Sequence, residues 1–266
     1  MIFDVLLPAV LFLTMLATLF LYPKYEKRIG SVFKDVKFSY YHAILLVVAT
    51  SLMLSVLVFI PGEAIRILYL SIYCFGFFLF TYLFVPKWYL AFITPALFIT
   101  LYYSPYWNLV TFNMFAILFA IFISVYLGNL FTWKTTAVFV VLLTIMDIVH
   151  VLITGYIVES AERLVGELGL PVVVIIPTFP SEGLFIALGL GDIFLAGLLS
   201  IQTAQKYGKK FALASVTAIA IVFLMLQTVL LNYFDQAFPA TVLVISGWLP
   251  ALAARHLYQS SLSRRG

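Results

Sequence analysis

Apolar stretches long enough to cross a bilayer follow one another along almost the whole chain, and this feature constrains the fold most. A membrane-spanning helix needs about 20 predominantly apolar residues. Hydrophobic residues make up 64% of the sequence and charged residues 10%, whereas soluble domains carry about 25% charged residues. The sequence therefore predicts a polytopic membrane protein of the all-α class.

Nine such stretches predict nine transmembrane helices in a single domain, residues 1–266. They are 2–22, 40–60, 64–85, 88–103, 109–131, 135–157, 183–205, 209–231 and 236–256. The first is expected to be a retained helix, because no basic segment or clear cleavage site accompanies it. The longest connection is 158–182. Helical spacing of apolar residues predicts a short interfacial helix over 158–168. The proline-flanked, β-branched run 171–177 predicts an extended segment.

Lysines and arginines are distributed unevenly between the two sides of this nine-helix arrangement. Of the fifteen, only Arg66 and Arg163 fall on the side opposite the C-terminus. The other thirteen are Lys24, Lys27, Arg28, Lys34, Lys37, Lys87, Lys134, Lys206, Lys209, Lys210, Arg255, Arg264 and Arg265. Because cytoplasmic connections carry an excess of lysine and arginine, this predicts a cytoplasmic C-terminus and an outside N-terminus. The charges are dispersed among apolar segments, so no nucleic-acid partner is expected.

Two of the eleven acidic residues lie deep within predicted helices. Asp147 follows Lys134 by 13 residues, and Asp192 precedes Lys206 by 14 residues. At 1.5 Å per residue, both acids lie roughly 20 Å from these cytoplasmic anchors, so they reach the same depth in neighbouring antiparallel helices. A carboxylate at the bilayer centre costs about 2.5–3.5 kcal/mol even on insertion scales. The pair is therefore a candidate functional site.

The residues alone leave three interpretations of this pair. Two close carboxylates share a proton, so one can activate water while the other polarises a peptide carbonyl, as in an aspartic protease. Intramembrane acids also serve relays in proton- or cation-coupled transporters. The third interpretation is a structural pair bonded to hydroxyls or backbone. Gly189 and Gly191 before Asp192, and Gly197 after it, leave room for a neighbouring helix, water or an extended peptide.

The motif Gly189-Leu190-Gly191-Asp192 resembles the GxGD motif of the presenilin and signal peptide peptidase family of intramembrane aspartyl proteases. The resemblance covers nearly the whole chain, which looks like an archaeal or other microbial member. It implies that Asp147 and Asp192 are catalytic and that no metal or organic cofactor is used. It also implies single-span transmembrane peptides as substrates, cleaved within the bilayer. The predicted orientation resembles that of the signal peptide peptidase branch, which implies signal peptide remnants or type II segments.

Two positions depart from the family pattern. The family's first aspartate normally follows a tyrosine that contacts substrate or inhibitor, and here Met146 stands before Asp147. The family's Pro-Ala-Leu motif opens the last helix. The segment Pro239-Ala240-Thr241 has that location and is the expected equivalent, whereas the literal copy at 250–252 lies near the predicted cytoplasmic end. Pro250 is expected to be only a helix kink.

The resemblance also gives the run 171–177 a role. In the family, an extended segment ahead of the seventh helix is expected to pair with the unwound substrate, because edge pairing supplies backbone hydrogen bonds. Val172, Val173 and Val174 are the residues expected to contribute here; the alternative is a hydrophobic loop packed on the bundle. Prepilin peptidases also carry GxGD, but they have fewer helices and place the partner acid near the cytoplasmic boundary, unlike Asp147.

Overall fold

The structure, a computed structural model, describes residues 2–33, 36–57, 59–85, 87–181, 183–234 and 236–263. Within these ranges the chain is mostly helical and forms one two-stranded sheet. The helices are α1 (Leu6–Phe33), α2 (Tyr40–Leu57), α3 (Gly62–Phe84), α4 (Trp88–Ala91), α5 (Ile93–Tyr102), α6 (Leu109–Leu130), α7 (Trp133–Ile148), α8 (Tyr156–Glu162), α9 (Leu190–Tyr207), α10 (Lys209–Tyr233) and α11 (Ala240–Ser263). The strands are β1 (Val173–Pro177) and β2 (Phe185–Gly189). Short π-helical turns, Val149–Ile153 and Arg163–Glu167, extend α7 and α8.

Seven helical segments of the described chain are long and apolar enough to cross a membrane, so the chain is a multi-pass membrane protein. They are Leu6–Gly30, Tyr40–Leu57, Gly62–Phe84, Leu109–Leu130, Trp133–Ile153, Lys209–Tyr233 and Ala240–Leu257. The predicted helix 88–103 is divided into α4 and α5, because Pro95 has no N–H to donate to the carbonyl of Ala91. The predicted helix 183–205 also differs, because residues 185–189 form β2 and α9 begins only at Leu190.

Helix α9 occupies the middle of the bundle. Eleven consecutive residues, 193–203, are buried, and the helix packs against α1, α6 and α10. Its contact with α6 is close at Gly197, where an added Cβ would lie 2.6 Å from the Ser124 hydroxyl. A helix surrounded by protein needs little apolar surface toward lipid, which explains why α9 is less hydrophobic than its neighbours.

The extended segment predicted at 171–177 is confirmed as β1, and it forms a hairpin with β2. The strands are antiparallel, and their register pairs Val173 with Gly189 and Pro177 with Phe185. Helical structure predicted over 158–168 is also confirmed, as α8 and the π-helical turn that follows it. The strand β2 runs directly into α9, so the hairpin determines where the first turn of α9 lies.

Helices α10 and α11 are in close backbone contact at Gly247. An added Cβ there would lie 2.5 Å from Cα of Ile219 and 3.1 Å from the carbonyl oxygen of Ala218, so it would meet backbone rather than a flexible side chain. Only glycine, which has no Cβ, therefore fits at this helix crossing.

Replacing Gly247 with alanine is expected to lower the free energy of unfolding by about 1–3 kcal/mol, because an inserted methyl group must push two backbones apart. Thermal unfolding of the purified protein in detergent micelles measures the effect. Gly166→Ala is the matched control, since an added Cβ there meets no described atom within 4 Å. Equal melting temperatures for the two variants would contradict the close crossing.

Candidate active site

Asp147 lies in the last turn of α7, immediately before the π-helical turn. The helix begins with a capping box. The Thr135 N–H donates to the Thr132 hydroxyl, and the Thr132 N–H donates to the Thr135 hydroxyl. Asp147 is 8% exposed, so it is buried. Single π-helical turns within α-helices are frequent at functional sites, and this one begins two residues after the aspartate.

Thr241 binds the Asp147 carboxylate. Its hydroxyl donates to Oδ2 at 2.6 Å, and its backbone N–H donates to the same oxygen at 3.3 Å. Pro239 immediately precedes α11, and Thr241 is the second residue of that helix. The N-terminus of a helix carries partial positive charge, which favours a carboxylate at this position. The segment Pro239-Ala240-Thr241 therefore brings the start of α11 to Asp147.

Asp192 lies in the first turn of α9, directly after β2. Its side chain is only partly buried. An added Cβ at Gly189 would lie 3.0 Å from Asp192 Oδ2, so the glycine leaves space for the carboxylate to turn toward the end of the strand. Gly191 borders open space instead, with no described atom within 4 Å of an added Cβ. The two glycines therefore act differently: one accommodates the carboxylate and the other leaves the site open.

Both aspartates line the same two cavities, which share several lining residues. The larger has a volume of about 380 Å³ and is bordered by α8, by the hairpin and by the segment that precedes α11. The smaller has a volume of about 220 Å³ and also contains Thr241 and the GxGD backbone. Two carboxylates from separate helices thus border the same two cavities, each of which is larger than the roughly 30 Å³ that a water molecule occupies.

The sequence-predicted site residues fall into two groups. Those that line one or both of these cavities are Met146, Asp147, Val172, Val173, Gly189, Leu190, Gly191, Asp192, Ala240 and Thr241. Pro239 and Val174 do not line them. Pro239 directly precedes α11, and Val174 is fully buried in the main hydrophobic core, on the opposite face of β1 from its neighbour Val173. Pro250 lies within α11, nine residues after Thr241, which is about 14 Å along a helix.

The outer edge of β1 is occupied. Asn113 on α6 donates its side-chain amide to the Ile175 carbonyl at 2.6 Å and accepts the Ile175 N–H at 2.8 Å. The other edge of β1 pairs with β2. Residues 171–177 were expected to offer a pairing edge to a substrate, but in the structure both edges of the strand are used at Ile175.

The outer edge of β2 is the one left for pairing. Because the Ile175 backbone bonds point to Asn113, the pair Ile175–Ala187 is a non-hydrogen-bonded pair of the ladder, and the Ala187 N–H and C=O point outward. Among the described residues, no hydrogen bond occupies these groups on the outer side. Ala187 also lines the 380 Å³ cavity. A free strand edge therefore leads along the cavity to Asp192.

Sequence reasoning missed Asn113, Ala187 and Glu162. Glu162, an exposed residue at the end of α8, lines the larger cavity. An asparagine within the apolar stretch 109–131 was a detectable signal for Asn113, because intramembrane amides seek hydrogen-bond partners. Ala187 gave no signal, since its importance comes only from the strand register.

Within the described ranges, no three histidine, cysteine, aspartate or glutamate side chains gather as a metal site. Neither a family model nor a curated protein matches the chain.

Proposed function

We propose that this protein is an intramembrane aspartic endopeptidase of the presenilin and signal peptide peptidase type. Asp147 and Asp192 are the proposed catalytic residues, and a single-span transmembrane peptide is the proposed substrate. One observation carries the proposal: carboxylates from two helices face shared cavities, and a free strand edge runs along the larger cavity to one of them.

The proposed chemistry divides the work between the two carboxyl groups. The ionised one accepts a proton from water as the water oxygen attacks the peptide carbonyl carbon, while the protonated one donates to the carbonyl oxygen. When the tetrahedral intermediate collapses, the C–N bond breaks, the leaving nitrogen takes up the proton that the first carboxylate accepted from water, and the former carbonyl oxygen returns its proton to the other carboxylate. The hydrogen bonds from Thr241 hold the Asp147 carboxylate in one orientation for this exchange.

The strand edge addresses a second requirement of peptide cleavage in a bilayer. A transmembrane helix must unwind before a peptide bond can be attacked, and the freed backbone groups then need hydrogen-bond partners. Pairing the substrate as a third strand on β2, through the outward N–H and C=O of Ala187, supplies those partners. The added strand would run beside Gly189 and bring its backbone to Asp192.

The proposal includes a nine-helix topology with the N-terminus outside and the C-terminus in the cytoplasm. The seven long apolar helices are supplemented by the α4–α5 pair and by α9. The burial of residues 193–203 supports a membrane position for α9 despite its modest hydropathy. The lysine and arginine distribution supports the orientation, which suits substrates with a cytoplasmic N-terminus, such as signal peptide remnants and type II segments.

An experiment in liposomes separates this function from proton- or cation-coupled transport. The purified protein is reconstituted with a labelled single-span peptide, peptide fragments are followed by gel and mass spectrometry, and ion flux is followed with a trapped pH-sensitive dye. The protease proposal expects two fragments and no flux. Flux with an intact peptide would reject it in favour of transport.

The hydroxyl of Thr241 is expected to contribute to turnover. Thr241→Val keeps the side-chain volume and the backbone N–H but removes the 2.6 Å hydrogen bond to Asp147, so kcat is expected to fall by about tenfold or more. Steady-state cleavage of the labelled peptide measures the loss. Thr241→Ser retains the hydroxyl and should stay close to wild type. If the valine and serine variants cleave equally well, the hydroxyl has no part in the reaction.

A further inference from the structure

The turn of the β1–β2 hairpin is held by the N-terminal segment of the chain. The Val5 N–H donates to the Phe179 carbonyl at 2.8 Å, and the Ser181 N–H donates to the Phe3 carbonyl at 3.4 Å. The Phe3 N–H in turn donates to the Ser181 hydroxyl at 2.9 Å. The first residues of the chain therefore run antiparallel to the connection between the two strands and fix it to the start of α1.

Asp4 lies at the centre of this contact. It is 1% exposed, and both of its carboxylate oxygens are occupied. Oδ1 accepts the backbone N–H groups of Leu6 at 3.1 Å and Phe179 at 3.0 Å. Oδ2 accepts the backbone N–H of Leu7 at 3.2 Å and the side-chain amide of Gln227 at 2.9 Å. One carboxylate thus joins α1, the hairpin turn and α10.

A helix cap alone does not explain this arrangement. Capping α1 uses only the bonds from Leu6 and Leu7, and a serine at the same position supplies a capping oxygen. The bonds to Phe179 and Gln227 are additional and link separate parts of the fold. A carboxylate is the one short side chain with two acceptor-only oxygens, so it alone satisfies all four donors. Four N–H partners also compensate for burial of its charge.

We infer that Asp4 is a positioning residue for the proposed proteolysis: it holds the β1–β2 hairpin, and with it the pairing edge of β2, in register with Asp192. Helices α1 and α10, which share this carboxylate with the hairpin turn, both pack against α9. The same two helices, α1 and α10, are therefore linked both to the hairpin, through Asp4, and to the helix that carries Asp192. The inference rests on the proposed function for its consequence on cleavage, but its structural part stands independently.

The test compares the full-length variants Asp4→Ser and Asp4→Asn with wild type in micelles. Serine keeps the cap but does not reach Phe179 or Gln227. Asparagine keeps the size and one acceptor oxygen, which can still accept the N–H groups of Leu6 and Phe179, but its amide nitrogen no longer accepts from Leu7 or Gln227. We expect kcat/KM to fall by about tenfold or more for serine and less for asparagine, because small misplacements of reacting groups are costly.

Two readouts separate positioning from general stability. Mass spectrometry of the products should show that Asp4→Ser shifts the distribution of cleaved bonds. Hydrogen exchange, measured without any substrate, should show faster exchange in residues 173–189 while α9 stays protected. Thr81→Val removes the side-chain hydrogen bonds from α3 to the Phe77 carbonyl and the Thr94 hydroxyl, away from the hairpin, and is the matched control; it should change neither readout.

Unchanged exchange in the hairpin of Asp4→Ser would overturn the inference, whether or not the protein cleaves peptides. Unchanged cleavage sites together with an unchanged kcat/KM would overturn it as well. Should Asp4→Ser fail to fold, Ser181→Ala removes only the bond from Phe3 and is expected to shift the same readouts by a smaller amount. A wild-type protein that cleaves no peptide would reject the proposed function, and the exchange measurement would still decide the role of Asp4.

Discussion

Replacing either Asp147 or Asp192 with asparagine is expected to reduce peptide cleavage by about 10³-fold or more, because each change removes an acid or base from the reaction. Asparagine matches aspartate in size, so the cavities that both residues line should keep their shape. The two variants are expected to be about equally inactive, and the double variant no worse than either single one. Groups that act as a unit show this lack of additivity.

Cleavage rates measured on the labelled single-span peptide check this expectation, with melting temperatures to show that both variants fold. Glu63→Gln is the control for loss of an acid, since Glu63 is exposed and forms an i,i+3 ion pair with Arg66. It should retain the wild-type rate. Full activity in either aspartate variant would mean that the reaction does not use the pair.

Ala187→Pro is expected to cause the second large loss, about 10²-fold in kcat/KM, by blocking the strand edge on which the substrate is proposed to pair. The Ala187 N–H points away from β1, so a proline removes no bond of the hairpin ladder. It does remove the outward donor and places its ring where an added strand would lie. The carboxylates themselves should be unaffected.

Ala187→Ser is the matched control, because it keeps the N–H and adds only one polar atom. It should cleave at close to the wild-type rate. Hydrogen exchange of the Ile186 and Leu188 amides shows whether the hairpin survives in the proline variant, since both residues belong to hydrogen-bonded pairs of the ladder. An intact hairpin with undiminished cleavage in Ala187→Pro would rule out pairing on β2.

The membrane class and the approach of the two acids to each other were accessible from the sequence because both follow from one-dimensional rules. Apolar length predicts a spanning helix, and residue counts from lysine anchors gave Asp147 and Asp192 the same depth. The structure brings the two to the same cavities. The sequence also predicted that Pro239 directly precedes the last helix, and the structure confirms this location. Thr241, two residues later, contacts Asp147.

Only one of the two strands of the hairpin could be predicted from the sequence. The β-branched run before Pro177 predicted an extended segment, but the stretch 183–189 is apolar and continuous with α9, so hydropathy assigned it to a helix. Its strand conformation comes from pairing with β1, a tertiary contact that no local pattern records. For the same reason, the sequence could not show that Asn113 occupies one edge of β1 and leaves β2 as the free edge.

The role inferred for Asp4 lies beyond sequence reasoning for a different reason. An acid just before a helix has the ordinary explanation of a cap, and its further partners are distant in the chain. Phe179 lies 175 residues away from Asp4, and Gln227 lies 223 residues away. Only the folded chain shows that one carboxylate serves three elements.

The most direct test of the central claim is cleavage of a single-span peptide in a bilayer made up in ¹⁸O-labelled water, followed by mass spectrometry. Hydrolysis by the aspartate pair is expected to give two fragments, with one ¹⁸O atom in the new carboxyl terminus and the cleaved bond within the apolar segment. Asp147→Asn and Asp192→Asn should give neither fragment. An intact peptide with the wild-type protein, or equal fragment yields with the variants, would contradict the account.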